Sequence, residues 1–224
     1  MLNVFIGYDS KEKIAYHILT ESILRHSSVP VSFTPIYLPN IKDSFNRPRN
    51  SLSSTEFSFS RFIVPYLMNY NGWALFLDCD MLFKADIKEL WDLRNDDYAV
   101  MVCQHDYIPK QSSKFLNQIQ TVYEKKNWSS LMLMNTAKCK QLTKEYVNDA
   151  SGLELHQFKW TDKVGGLPLE WNWLVGEYPY NQDAKNIHYT DGGCYFEKYQ
   201  DCDYSSDWFN IYTNTVKIQL WKLL

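Results

Sequence analysis

The chain has 224 residues, 45% of them hydrophobic, which is enough apolar material to bury the core of one α/β domain. A formal charge of -3 and a pI near 6.0 exclude the strongly basic character of a nucleic-acid groove or a polybasic membrane surface, and point to a small-molecule ligand. Five cysteines, at 79, 103, 139, 194 and 202, are scattered without a CxxC pair, which argues against zinc or redox motifs and predicts reduced thiols.

The first element predicted is a buried strand over LNVFIG, Leu2 to Gly7. Asp9 or Ser10 can cap a helix whose apolar positions Ile14, Ala15, Ile18, Leu19 and Ile23 keep helical spacing. A second strand, Val31 to Leu38, completes a βαβ opening and favours a parallel sheet. Residues 39 to 53 are polar, carry two prolines, and read as a mobile loop beside a site. Ser53 and Glu56 have capping-box spacing and open a predicted helix with Phe57, Arg61, Phe62 and Val64, which Pro65 disturbs.

Residues 73 to 83, WALFLDCDMLF, form an apolar run broken only by Asp78, Cys79 and Asp80. Such a run is the signature of a strand buried on both faces. Beyond it, Ala85 to Leu93 predicts a short helix, Tyr98 to Cys103 and Ser129 to Met134 two strands, and Cys139 to Val147 a helix. The stretch WTDKVGGLPLEWNWLVGEYPY has no clear period and is assigned to substrate-facing loops. The aromatic end, WFNIYTNTVKIQLWKLL, is assigned first to packing on the sheet, then to a partner or a membrane surface. The N-terminal apolar segment is too short for a signal peptide, and no segment approaches the roughly 20 apolar residues of a membrane span, which together predict a cytoplasmic chain.

Carboxylates are costly to dehydrate unless a cation or hydrogen bonds compensate them. Residues two apart on an extended chain point the same way, so Asp78 and Asp80 can present oxygens to one hard divalent ion, Mn²⁺ or Mg²⁺. An ion there can bind a diphosphate and offset the charge that develops when it leaves. The aromatic share of 16% fits an aromatic-rich core and equally a groove that stacks sugar rings.

The stretch from Ser60 to Trp91, SRFIVPYLMNYNGWALFLDCDMLFKADIKELW, resembles the donor-site core of GT-A glycosyltransferases, in particular family 8, the glycogenin and bacterial galactosyltransferase group. The match rests on Arg61 ahead of the strand, the D-x-D pair Asp78 and Asp80, and the following Leu90 and Trp91. The resemblance implies a Rossmann-like α/β nucleotide-diphospho-sugar transferase fold with a mixed central sheet flanked by helices. It implies one domain over 1–224, with 1–104 as nucleotide-binding half and 105–224 as acceptor-side half. VFIGYD matches the first strand, which makes Asp9 a partner for a uracil edge and Tyr8 a stacking face; Cys79 offers its backbone to the ribose. NWSSLMLMN resembles FNSGVMLIN of relatives, and His156-Gln157 falls where members have Asp-Gln, which places Gln157 and Arg61 near the reacting centre. IHYTDGG resembles the motif H-x-x-G-x-x-K: His188 supplies the third metal ligand, and Cys194 stands in place of the lysine. Diphosphate binding then falls to the amides of Gly192 and Gly193, or to another lysine. Trp171 and Asn172 in GLPLEWNWL are expected to face the acceptor, against an even core-packing alternative.

The expected activity is a hexosyltransferase reaction: a sugar moves from a UDP-sugar to a saccharide or other hydroxyl acceptor with retention of configuration, by same-face attack because no carboxylate is marked as a nucleophile. Two alternatives stand beside it. A haloacid-dehalogenase-type phosphatase also places D-x-D after a buried strand, with the first Asp as nucleophile. A non-catalytic carbohydrate-binding, transferase-like module fits the aromatic richness and the absent lysine.

Overall fold

The computed structural model describes residues 1–48, 53–110 and 124–216. Strand β1 (Leu2–Gly7) leads into helix α1 (Lys13–His26), whose Ala15, Ile18, Leu19 and Ile23 are buried as their spacing predicts. No side chain caps α1; Asp9 instead accepts from the Lys11 amide at 2.9 Å, one turn earlier. Strand β2 (Val31–Ile36) lies parallel to β1 and stops short of Leu38, because Pro39 falls in a 3-10 turn over Leu38–Asn40.

The helix expected from Ser53 is shorter and later than predicted. Glu56 makes no capping box: its carboxylate accepts from Ser10, and its amide donates to Asp9 Oδ2 at 3.0 Å. Arg61 rides a 3-10 turn, Ser60–Ile63, and helix α2 (Val64–Leu67) begins at the point where the sequence suggested an ending. Pro65 sits in its first turn, where a missing N–H costs no hydrogen bond.

The rest of the chain runs β3 (Trp73–Leu77), β4 (Met81–Phe83), α3 (Ile87–Trp91), β5 (Val100–Cys103), β6 (Leu131–Asn135), α4 (Lys144–Asp149) and α5 (Gly152–His156). Then come β7 (Val164–Leu167), β8 (Trp173–Leu174), β9 (Asn186–His188) and α6 (Ser205–Val216). The stretch assigned to loops therefore contains β7 and β8, short strands in which glycine and tryptophan hid any alternation. Of the loop expected to be mobile, 49–52 lie outside the described residues. Its earlier part is tied to α4: the Asn46 amide donates to Asn148 Oδ1 at 2.9 Å, and Asn148 Nδ2 donates to the Ser44 carbonyl at 3.0 Å.

Six strands form one mixed sheet in the order β2-β1-β3-β6-β5-β7, and three form a smaller sheet, β4-β9-β8. In the large sheet β1 is parallel to β2 and β3, while β6 runs antiparallel to β3 and β5. The main core covers the large sheet with Phe57, Phe62, Phe76 and Trp171 among its members. A second cluster joins Ile18 of α1, Leu82 and Ile187 of the small sheet, and Trp208 and Ile211 of α6. The aromatic tail thus packs inward as far as Ile211, and residues 217–224 lie outside the description. No helix among the described residues is long and apolar enough to cross a membrane.

Candidate active site

Asp78 and Asp80 are positioned by both sheets at once. Strand β3 ends at Leu77 in the large sheet and β4 begins at Met81 in the small one, so residues 78–80 are the crossing between them. The Asp78 amide donates to the Ser130 carbonyl at 2.9 Å, and the Asp80 carbonyl accepts from the Tyr189 amide at 2.9 Å. Pairing of β4 with β9 sets Met81 opposite His188. That register brings one ligand atom from each of Asp78, Asp80 and His188 within 4.8 Å of the others, and all three residues are buried.

The tautomer of His188 follows from its support. Its Nδ1 lies 2.9 Å from Asn172 Oδ1, and Asn172 Nδ2 reaches Ser130 Oγ at 2.8 Å and the Asn127 carbonyl at 3.3 Å. A carbonyl only accepts, so the amide nitrogen faces Asn127 and the amide oxygen faces His188. Nδ1 of the imidazole therefore donates to Asn172, and Nε2 is left 3.4 Å from Asp80 Oδ1. Two carboxylates and one imidazole nitrogen are a suitable donor set for Mn²⁺ or Mg²⁺, and a cation there offsets charge that burial makes costly.

Arg61 neutralises part of this charge. Its Nη1 lies 2.8 Å from Asp78 Oδ1, its Nη2 donates to Oδ2 at 3.4 Å, and Nη1 also donates to the Ser129 carbonyl at 2.9 Å. The guanidinium carbon stands 5.2 Å from the ring centres of both Phe57 and Phe76, so the fork is held from its apolar side as well.

The other expected site residues are less uniform in their settings. Asp9 is buried and both its oxygens accept backbone amides, from Lys11 and Glu56. Tyr8 is half-buried, edge-on to Tyr16 and Tyr37. Cys79 is wholly buried between the two acids. Gly192 adopts φ 142, and its amide donates to the Tyr189 carbonyl at 2.9 Å. A Cβ on Gly193 would lie 2.1 Å from the Tyr195 ring. Gln157 ends α5 and its carbonyl accepts from Lys125 Nζ at 2.9 Å. The neighbouring His156 stands 2.7 Å from Ser129 Oγ, and burial, then the charge of Arg61, lowers its pKa to about 3.

The acceptor-facing positions expected of Trp171 and Asn172 do not follow from this arrangement. Trp171 is 2% exposed and packs in the main core, tilted against Phe83 with ring centres 6.1 Å apart. Asn172 has no exposed surface, and its amide is spent on His188, Ser130 and Asn127. Both lie in the 3-10 turn over Leu169–Asn172 that feeds β8, inside the molecule rather than on a loop tip.

Two buried groups escaped the sequence reading. Glu12 accepts from the Tyr195 hydroxyl at 2.7 Å; burial first, then the charge of Asp80, pushes its carboxyl well above the usual carboxylate range. In the sequence it looks like an ordinary acid at a helix start. His105, just past β5, lies 2.8 Å from the Tyr178 hydroxyl, and burial, then the charge of His188, lowers its pKa to about 3.

The profile of Glycosyl transferase family 8 matches residues 8–147, well over half the chain and including the Asp78-Cys79-Asp80 crossing. The chain belongs to glycosyl transferase family 8. This glycosyltransferase is 45% identical over 218 residues to Protein CDI of Arabidopsis thaliana, covering 92% of this chain and 84% of that protein. Its fold is similar to the galactosyltransferase LgtC solved with donor and acceptor sugar analogs: TM-score 0.61 at 9% identity, over 95% of this chain and 96% of LgtC. It is also similar to the bifunctional glycosyltransferase WbbM, with TM-score 0.62 at 17% identity. That match covers 95% of this chain but only 50% of WbbM, so the glycosyltransferase spans half the length of that relative. The fold is GT-A, and family membership sets aside the phosphatase alternative. The two-pronged hold of Arg61 on Asp78 agrees, because it engages both oxygens of the would-be nucleophile.

Proposed function

We propose that this enzyme moves a sugar from a UDP-sugar to the hydroxyl of a saccharide or other acceptor, with retention, using Mn²⁺ or Mg²⁺ held by Asp78, Asp80 and His188. The observation that carries this reading is the three-residue group with ligand atoms within 4.8 Å and an imidazole whose free nitrogen is turned toward the acids. When bound, the cation would supply positive charge to the donor's diphosphate as it departs.

The chain's own residues do the rest. Arg61 fixes the orientation of Asp78 by pairing with both its oxygens, while Asn172 fixes the ring plane of His188. Tyr8 and Asp9, at the end of β1, border the nucleotide side; Cys79 and the Gly192-Gly193 turn offer backbone to the donor. Gln157 and Arg61 border the reacting sugar. His156, where relatives have an aspartate, is neutral beside Arg61, which supports same-face attack by the acceptor over a covalent carboxylate intermediate. In this reading residues 1–104 carry the nucleotide and 105–224 the acceptor, and the enzyme works in the cytoplasm.

The test is sugar release and transfer from a panel of UDP-sugars, with Mn²⁺ and with excess chelator. Asp80→Asn is expected to lower kcat/KM by on the order of 10²–10³-fold, the loss typical of one electrostatic group acting on developing charge. Full turnover under chelation, or in Asp80→Asn, would overturn the metal-assisted reading.

A further inference from the structure

One side-chain hydrogen bond closes the chain across 183 residues: the Tyr195 hydroxyl donates to Glu12 Oε1 at 2.7 Å. Its two ends belong to different parts of the site. Glu12 is 1% exposed, and its main chain is fixed on both sides, the amide donating to the Asp9 carbonyl at 3.1 Å and the carbonyl accepting from the Ala15 amide at 2.9 Å. Asp9 in turn accepts the amides of Lys11 and Glu56, so Glu12 is part of the braced end of β1. Among the described residues Glu12 Oε2 has no hydrogen-bond partner, which leaves the Tyr195 hydroxyl as the tie of this carboxyl. Tyr195 lies in the turn that follows His188. Its ring covers Gly193 so closely that a Cβ there would lie 2.1 Å from it, and it packs against Trp208 of α6 with ring centres 5.4 Å apart.

We propose that Glu12 and Tyr195 are positioning residues for the donor, their hydrogen bond holding the Gly192-Gly193 turn in register with the end of β1. This rests on the donor reading above, in which that turn meets the diphosphate while Tyr8 and Asp9 meet the base. Neither Glu12 nor Tyr195 then touches the donor. The bond draws the Tyr195 ring over Gly193, which has no side chain to resist it, and so sets where the two backbone amides stand. A turn held in place before the donor arrives has less freedom to lose on binding. Glu12 serves as an acceptor and not as a charge: burial first, then Asp80, pushes its carboxyl well above the usual carboxylate range. A glutamine amide oxygen can accept the same bond.

Calorimetry on the full chain with Mn²⁺ gives the affinities for UDP and for UMP, and their ratio isolates the diphosphate end, since both nucleotides carry the same base and ribose. Tyr195→Phe keeps the ring over Gly193 and removes the hydroxyl. It is expected to lower the UDP-to-UMP affinity ratio about 10-fold, as the loss of one hydrogen bond predicts, and to act on the KM for the UDP-sugar more than on kcat. Glu12→Ala should do the same, Glu12→Gln should restore the ratio to within about twofold of wild type, and the double variant Glu12→Ala/Tyr195→Phe should lose no more than either single change. Every variant is measured well below its own melting temperature, where a general loosening of the fold weakens UDP and UMP alike and leaves the ratio unmoved. An unchanged ratio in Tyr195→Phe, additive losses in the double variant, or Glu12→Gln as weak as Glu12→Ala would each overturn the proposal while the wild-type chain still binds UDP. A wild-type chain that binds neither UDP nor UDP-sugars would overturn it together with the donor reading.

Discussion

At the scale of single residues the site is an arrangement of supports as much as of ligands. Asn172 has no exposed surface, yet its amide oxygen decides which nitrogen of His188 is turned toward Asp80. Asn172→Ala leaves Nδ1 without its acceptor and is expected to weaken Mn²⁺ affinity about 10- to 100-fold, the range for a lost supporting hydrogen bond to a metal ligand, as titration calorimetry would read it. His105 gives a pH dependence. Its folded pKa, about 3, lies below the ordinary 6.5, so the unfolded chain binds the proton first. Stability from this group is complete above pH 6.5 and is lost as pH falls from there toward 3. Denaturant midpoints measured between pH 7 and 4 should fall, and His105→Gln should flatten that slope, with His156 contributing the remainder in the same direction. The acids at 78 and 80 were readable in the sequence because they interrupt an apolar run. Glu12 and His105 were not, since a helix-start acid and an isolated histidine carry no local mark of burial.

At the scale of elements, close packing beneath the β1 end controls Arg61. Gly7 closes β1 against Phe57, and a Cβ there would lie 2.3 Å from the Phe57 ring. Phe57 is buried and stands 5.2 Å from the guanidinium of Arg61. Gly7→Ala is therefore expected to destabilise the fold by about 1–3 kcal/mol, the usual cost of overpacking, and to reduce turnover by shifting Arg61. Equilibrium unfolding and kcat measured on the same variant check the two effects together. Elements with strong periodicity, β1, α1, β3 and β6, follow from the sequence within two residues or so, apart from the late start of α1. The helix around Arg61 did not, because Pro65 has opposite meanings at a helix start and in a helix interior, and only the backbone shows which applies. Strands β7 and β8 were hidden because glycine and tryptophan obscure a period of two.

At the scale of the whole molecule, the site sits where two sheets meet, and a cation bound there ties them together. Mn²⁺ binding the folded state only should raise the melting temperature, with a stabilisation of about 2.7 kcal/mol when the free ion is a hundred times its Kd. Chelator should reverse the shift. Asp80→Asn should lose it while melting no lower than wild type without metal, because removing one of several neighbouring buried carboxylates relieves repulsion. Thermal unfolding with and without Mn²⁺ measures both, and a metal shift that survives Asp80→Asn would place the ion elsewhere. α6 belongs to this scale too: Trp208 and Ile211 close the second cluster under the small sheet, so the aromatic tail helps to hold the sheet that carries His188.

The sequence by itself determined the strand that ends in Asp78 and Asp80, the βαβ opening and the family, because apolar runs and their interruptions are local patterns written in neighbouring residues. Only the tertiary structure decided that Met81 pairs with His188 and that Asn172 supports the imidazole instead of facing an acceptor. Each of these is a matter of strand register or chain return, set by packing between distant segments, and no spacing along the chain encodes it.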